Sequence, residues 1–240
     1  MNQYIFFGFV AVFAIFLIIG FIFNKETIIK RKLKNAPFKK LGDFKDNDLA
    51  KIVGKVEVVG EPLIAPLSKR KCAFYTVLVE KRVSSGRNSN WKTIIEENFK
   101  TRFLIRDGDQ CAFINDDKLK FYIVQDASYS SGFMEDASPT LEHYLQQHGY
   151  KSEGFLGFNK SMRYKEGVLE IGEEIAVFGK GKWREAIGMR LPESLGRILE
   201  VSSTEKVPVY ISDDPDTTLK TARKQSNHPR YNQNEQGYRR

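Results

Sequence analysis

Cys72-Ala-Phe-Tyr-Thr-Val-Leu-Val-Glu-Lys-Arg-Val83, followed by Ser84-Ser-Gly-Arg-Asn-Ser-Asn90 and Trp91-Lys-Thr-Ile-Ile-Glu-Glu-Asn-Phe99, is the stretch that decides the fold. Its first and third parts are rich in β-branched and aromatic side chains, and the part between them is Ser, Gly and Asn. That composition reads as two strands of a β-hairpin around a turn. Working outward, residues 101–105 resume as strand, Asp107-Gly108 signals a tight turn, and short strands are expected over 111–114 and 119–124. Upstream, residues 52–59 alternate as a strand and Gly60-Glu61-Pro62 ends it. Residues 63–67, split by Pro66, read as an irregular connection.

One helix follows these strands. Ser138 is its N-cap and Pro139 its first residue, while Leu141, Tyr144, Leu145 and His148 share a face and Gly149 stops it. Strands are expected again over 161–170, 173–178 and 182–187, the last two joined by a turn at Gly179-Lys180-Gly181. Residues 207–211 read as a final strand. From Gln225 onward the chain has no aliphatic residue and is expected to be disordered. The fold class is therefore mainly β (α+β): a twisted antiparallel sheet or small open barrel with one or two helices, preceded by a single transmembrane helix.

That helix is read from residues 4–23, a run of 20 without a charge or a proline. At about 1.5 Å per residue it spans about 30 Å, the thickness of the hydrocarbon layer. Met1-Asn2-Gln3 holds no basic side chain and Phe21-Ile22-Phe23 is a poor cleavage site, which favours an anchor over a cleaved signal peptide. Beyond it lie Lys25, Lys30, Arg31, Lys32, Lys34, Lys39 and Lys40 against one acid, Glu26. The positive-inside rule then places the rest of the chain on the cytoplasmic side, and these seven cations become candidates for contact with anionic headgroups.

The net charge of +8 is unevenly spread. Residues 41–212 hold 25 basic and 25 acidic side chains, so the excess sits beside the anchor and in the tail. Nucleic acid is thus an unfavoured partner. The expected organisation is an anchor (1–24), a basic juxtamembrane linker (25–45), a β-rich domain (46–222) and a basic tail (223–240).

Motifs for chemistry are scarce. Gly179-Lys-Gly-Lys182 lacks the spacing of a phosphate loop. His143 and His148 are five apart on a helix and fall on different faces, and Cys72 opens an apolar strand as a core residue would. Glu170, Glu173 and Glu174 read as solvated strand-end carboxylates. No catalytic, cofactor or metal site is predicted, and no cofactor.

A family pattern is carried by Gly54-Lys-Val56, Pro62-Leu63-Ile-Ala-Pro-Leu-Ser68, Cys72-Ala-Phe-Tyr75 and Trp91, with Phe103-Leu-Ile-Arg-Asp107-Gly108, Glu170-Ile-Gly-Glu173-Glu-Ile-Ala-Val-Phe-Gly179 and Val207-Pro-Val-Tyr-Ile-Ser-Asp213 after them. In this order they resemble the GIDE domain, the membrane-adjacent module of mitochondrially anchored E3 ubiquitin ligases and of prokaryotic relatives. The resemblance spans about residues 50–220 and implies structural roles for Gly54, Pro62, Leu63, Cys72, Trp91, Asp107, Gly108 and Gly179. The ligases end in a RING finger with about eight zinc ligands. This chain holds five Cys and His residues in all, namely Cys72, Cys111, His143, His148 and His228.

The function expected is therefore a membrane-anchored, non-catalytic binding or scaffold module with an unidentified protein or peptide partner. The alternatives are an E3 ubiquitin-ligase-like subunit acting with a separate effector, and a membrane-associated hydrolase. A chain lacking residues 1–40 is expected to fold on its own.

Overall fold

Alternation along the first long strand puts Ala50 and Ile52 on one side and Lys51 and Val53 on the other, and the same alternation sorts every strand of the sheet it belongs to. The computed structural model describes residues 7, 24–85, 88–116, 118–132, 137–152 and 160–220. In chain order the elements are α1 Lys25–Asn35, β1 Leu49–Val58, β2 Leu63–Ile64, β3 Lys71–Ser85, β4 Asn88–Lys100, β5 Phe103–Asp107, β6 Gln110–Ile114, β7 Lys120–Tyr122 and β8 Ala127–Ser131. Then come α2 Pro139–Gln147, β9 Met162–Glu170, β10 Glu174–Glu185, β11 Arg197–Ser202 and β12 Tyr210–Ser212.

β1 pairs with β5, β5 with β6, β6 with β11 and β11 with β10, and β10 returns to β1, which closes a ring. The β6–β11 pairing is parallel and the others antiparallel, giving a five-stranded Greek-key barrel of the OB type. β12 joins the first half of β10, and β7 adds to it in parallel. Inside the ring lie Ile52, Ile105, Ala112, Val177 and Leu199, joined by Ala73, Phe74 and Leu169 from the second sheet. That sheet runs β4-β3-β9-β8, with β2 beside the start of β3.

Three coverings dress these sheets. α1 lays Ile29 and Leu33 on Val53, Ala176, Phe178 and Tyr210, on the outside of the barrel. Residues 186–196, between β10 and β11, fold Ala186 and Leu191 onto Leu104, Phe113 and Ile198. This buries the β5–β6 face, the one on which OB-type barrels bind oligonucleotides and sugars. α2 packs Leu141, Tyr144 and Leu145 against Val77, Val79, Ile95 and Tyr164 on one face of the second sheet. Its Ser138 cap accepts from Leu141 N, with Pro139 in the first turn, as expected.

Several expectations are corrected. The mainly β fold with two helices stands among the described residues, but the barrel is a closed ring and two strand pairings are parallel. Residues 25–45 are not a linker: α1 and a 3-10 turn at Leu41–Asp43 form there and bury Ile29, Leu33 and Leu41. Gly179-Lys180-Gly181 is no turn but the middle of one strand, β10, and neither glycine has a positive φ. A Cβ at Gly179 would stand 2.6 Å from Val201 Cγ1, and one at Gly181 2.5 Å from the Phe44 ring. These glycines admit side chains into the barrel. The hairpin strands reach Ser85 and resume at Asn88, so five of the seven residues expected as a turn belong to strands, and residues 86–87 lie outside the described residues. β8 and β11 were not anticipated, nor was β2, whose residues 63–64 were expected in an irregular connection but pair with β3. The expected transmembrane segment, apart from Phe7, and the tail from residue 221 also lie outside them; among the described residues no helix is long and apolar enough to cross a membrane.

Candidate functional site

α1 begins where the apolar run 4–23 ends. Asn24 caps it, accepting from Glu26 N at 3.2 Å. Lys30 Nζ meets Asp214 Oδ2 at 2.6 Å and lies 4.4 Å above the Tyr122 ring, and Lys34 meets Asp216 at 2.6 Å. The bond to Asp214 holds the Lys30 ammonium above its ordinary pKa, against the opposing effect of burial. Both carboxylates belong to the turn after β12, so the helix is riveted to the C-terminal end of the fold. Lys51 adds to that clamp: it is buried, and its ammonium donates to Thr217 O at 2.9 Å and Leu219 O at 3.0 Å. Desolvation lowers its pKa.

Held this way, the first turns of α1 face the uncovered side of the second sheet across β7. A groove of about 640 Å³ lies between them. Ile29, Leu78, Phe121 and Ile123 supply apolar surface, and Lys25, Glu96, Lys120 and Lys165 charge its rim. Phe121 is fixed edge-on to Phe74 at 4.8 Å. Gly167 lets the chain after β7 approach, since a Cβ there would meet Val124 O at 2.7 Å. A concave site with an apolar floor and few polar groups is the usual form of a ligand site.

The same sheet face continues to the hairpin. The Arg163 guanidinium bridges both oxygens of Glu80, at 2.5 and 2.9 Å, and stacks 4.4 Å over the Trp91 ring. Trp91 is 41% exposed and is therefore a surface platform, not a core residue. β4 has no strand on its outer edge among the described residues.

The other residues singled out in the sequence are dispersed. Of the seven cations expected to contact headgroups, Lys30, Lys34 and Lys39 are engaged within the chain, the last with Asp48 at 2.5 Å. Lys25, Arg31, Lys32 and Lys40 are exposed and form no ion pair with the described residues. Gly54 sits in β1 where a Cβ would strike Ile105 and the Arg106 carbonyl, and Gly108 turns β5 into β6 with φ 64. Asp107 stands 3.8 Å from Lys220. Pro62 and Leu63 are half-buried around β2, and Gly179 lies inside the barrel wall.

Cys72 and Cys111 are free and buried. Burial, with Glu166 next, pushes the Cys72 thiol up to about 11 and so keeps it protonated. His143 touches Gln147 at the surface, whereas His148 bridges the Tyr144 carbonyl at 2.9 Å and Glu97 at 3.0 Å. The Tyr144 carbonyl, then Glu97, raises its pKa, which fits an imidazolium locking α2 to β4. Glu166 spends both oxygens on the Leu67 and Ser68 amides. Among the described residues no group of three or more His, Cys, Asp or Glu could hold a metal ion.

Sequence reasoning missed the groove because its parts come from α1, β3, β4, β7 and β9. One signal was readable: Ile29 and Leu33, four apart amid the lysines, mark a helix face that must be buried. Comparisons with protein-family models, curated proteins and solved structures return no match to this chain.

Proposed function

We propose that this chain is a single-pass, membrane-tethered binding module of the GIDE type, facing the cytoplasm, whose groove receives an extended segment of a partner protein. The observation that carries the reading is the groove itself. It opens beside the first residues of α1, immediately after the apolar run, so that a ligand held there is held close to the bilayer. Two features favour an extended peptide. Alternate side chains of such a segment can enter the apolar floor while the others meet the charged rim, and the free edge of β4 offers main-chain pairing. Lys25, Arg31 and Lys32 on α1 and Lys40 after it, exposed and without an ion pair among the described residues, supply the headgroup contact, at about 1 kcal/mol each near an anionic surface.

A photoreactive residue at Asn98, which lines the groove and is exposed, tests this in intact cells. The expected result is a discrete cross-linked species that Leu78→Asp removes and that the same probe at the remote, exposed Ile187 does not give. Equal labelling from both positions, or none from Asn98, would overturn the peptide-groove reading.

A further inference from the structure

Part of the outer barrel wall, on β10 and β11, is reached by none of the three coverings. On β10 the outward positions run Ala176, Phe178, Lys180, Lys182 and Arg184. α1 covers the first two, and the last three stand over a cleft of about 580 Å³. Because side chains alternate across a strand, these three cations share one face. On β11, Ser202 lies opposite Lys180 and Glu200 opposite Lys182. The turn after β11 brings Thr204 and Lys206 to the rim, and Asn47, in the left-handed region at φ 71, closes the other side with its N–H on Gly181 O at 2.8 Å.

The charge in this cleft is unbalanced. Glu200 is already used, with one oxygen accepting from Asn115 Nδ2 at 2.6 Å and the other paired to Arg184. Lys180, Lys182 and Lys206 form no ion pair with any described residue, and the one further acid in the lining is the exposed Glu205. Three ammonium groups without an ion partner among the described residues line one concave surface, together with hydroxyl and amide side chains. Nothing in the peptide groove requires them. A solvated surface places like charges apart; here strand register and a turn hold them together, and an anion is what relieves their repulsion.

We propose that this cleft binds a phosphate-rich anion carrying at least two phosphoryl groups, with Lys180, Lys182 and Lys206 as its charged contacts and the Ser202 hydroxyl as a donor. The site is separate from the groove and does not rest on the peptide reading. Two sources offer this chemistry, a soluble polyphosphate compound and a multiply phosphorylated lipid headgroup.

The test uses the full chain in zwitterionic detergent, titrated with inorganic tripolyphosphate by calorimetry. Saturable binding is expected, weakened at least tenfold by Lys182→Glu with Lys206→Glu. Lys92→Glu, on the hairpin, should leave it unchanged. Lys182→Gln with Lys206→Gln should weaken it as well, which keeps the test valid should the reversed charges perturb folding. A second arm places the chain in phosphatidylcholine vesicles with or without phosphatidylinositol bisphosphate. A headgroup ligand raises the apparent tripolyphosphate Kd tenfold or more, and a soluble ligand leaves it unmoved; both outcomes support the site. Absence of saturable binding in both arms, or equal weakening by Lys92→Glu, would overturn it.

Discussion

Asp213 carries a poorly compensated acid of the fold. It is buried, one oxygen accepts from Val124 N at 2.8 Å, and the other has no hydrogen-bond partner among the described residues. Burial first, and then the nearby Glu173 and Asp126, push its carboxyl up to about 7 from the ordinary 3.8. A folded-state pKa above the unfolded one means that the native state holds the extra proton, so this contribution is full below about pH 4 and is lost as pH rises through about 7. Asp213→Asn keeps the acceptor for Val124 and removes the buried charge. At pH 8 it should stabilise the chain by about 1–3 kcal/mol, raising Tm by several degrees. The gain should vanish near pH 4, and a difference constant across that range would refute the assignment. Gly181 makes a second residue-scale test. If it sat at a turn, a valine there would be a surface change; inside β10 it must displace the Phe44 ring, at a cost of about 2–3 kcal/mol in denaturant unfolding. A glycine needed for close approach and one needed for a turn look alike in a sequence, because the clashing partner lies more than a hundred positions away.

At the scale of elements, α1 changes what counts as the folded unit. Ile29 and Leu33 are buried against Val53, Ala176, Phe178 and Tyr210, at about 1.5–3 kcal/mol for each side chain. The segment after α1 also bonds to β1, through Lys51 N to Pro37 O at 2.7 Å and Lys39 N to Lys51 O at 2.9 Å. Removing residues 1–23 should therefore yield a soluble, cooperatively folding chain. Removing residues 1–40, which the charge pattern alone presents as harmless, should give aggregation or a Tm lower by about 10 °C or more, since the loss is a large part of a typical 5–15 kcal/mol. Circular dichroism melts and gel filtration of the two truncated chains decide it, and equal behaviour would mean that α1 is dispensable. The hairpin, α2 and most strands were legible, because each shows its own periodicity and punctuation. α1 was hidden by the density of lysines around a two-residue apolar stripe. β8, Ala-Ser-Tyr-Ser-Ser, lacks the β-branched residues that mark a strand and exists because β9 offers it an edge.

For the whole molecule, the order of strands matters more than their number. The β5–β6 hairpin is local, but closing the ring needs β1 to meet β10 and β6 to meet β11 across long stretches of chain. No periodicity reveals such pairings, so closure, the second sheet's share in the barrel core and the groove were beyond sequence reading. The two sheets, α1 and the C-terminal turn at Asp214–Asp216 lock together into one body. The reading of its function joins that body to a bilayer through residues 4–23. The most direct test of that claim is protease protection of the full chain, tagged after Arg240, in sealed cells followed by alkaline carbonate extraction of their membranes. The tagged domain should survive external protease until the membrane is permeabilised, and carbonate should leave the chain in the pellet while a chain lacking residues 1–23 is released. Digestion from outside, or release of the full chain by carbonate, would contradict it.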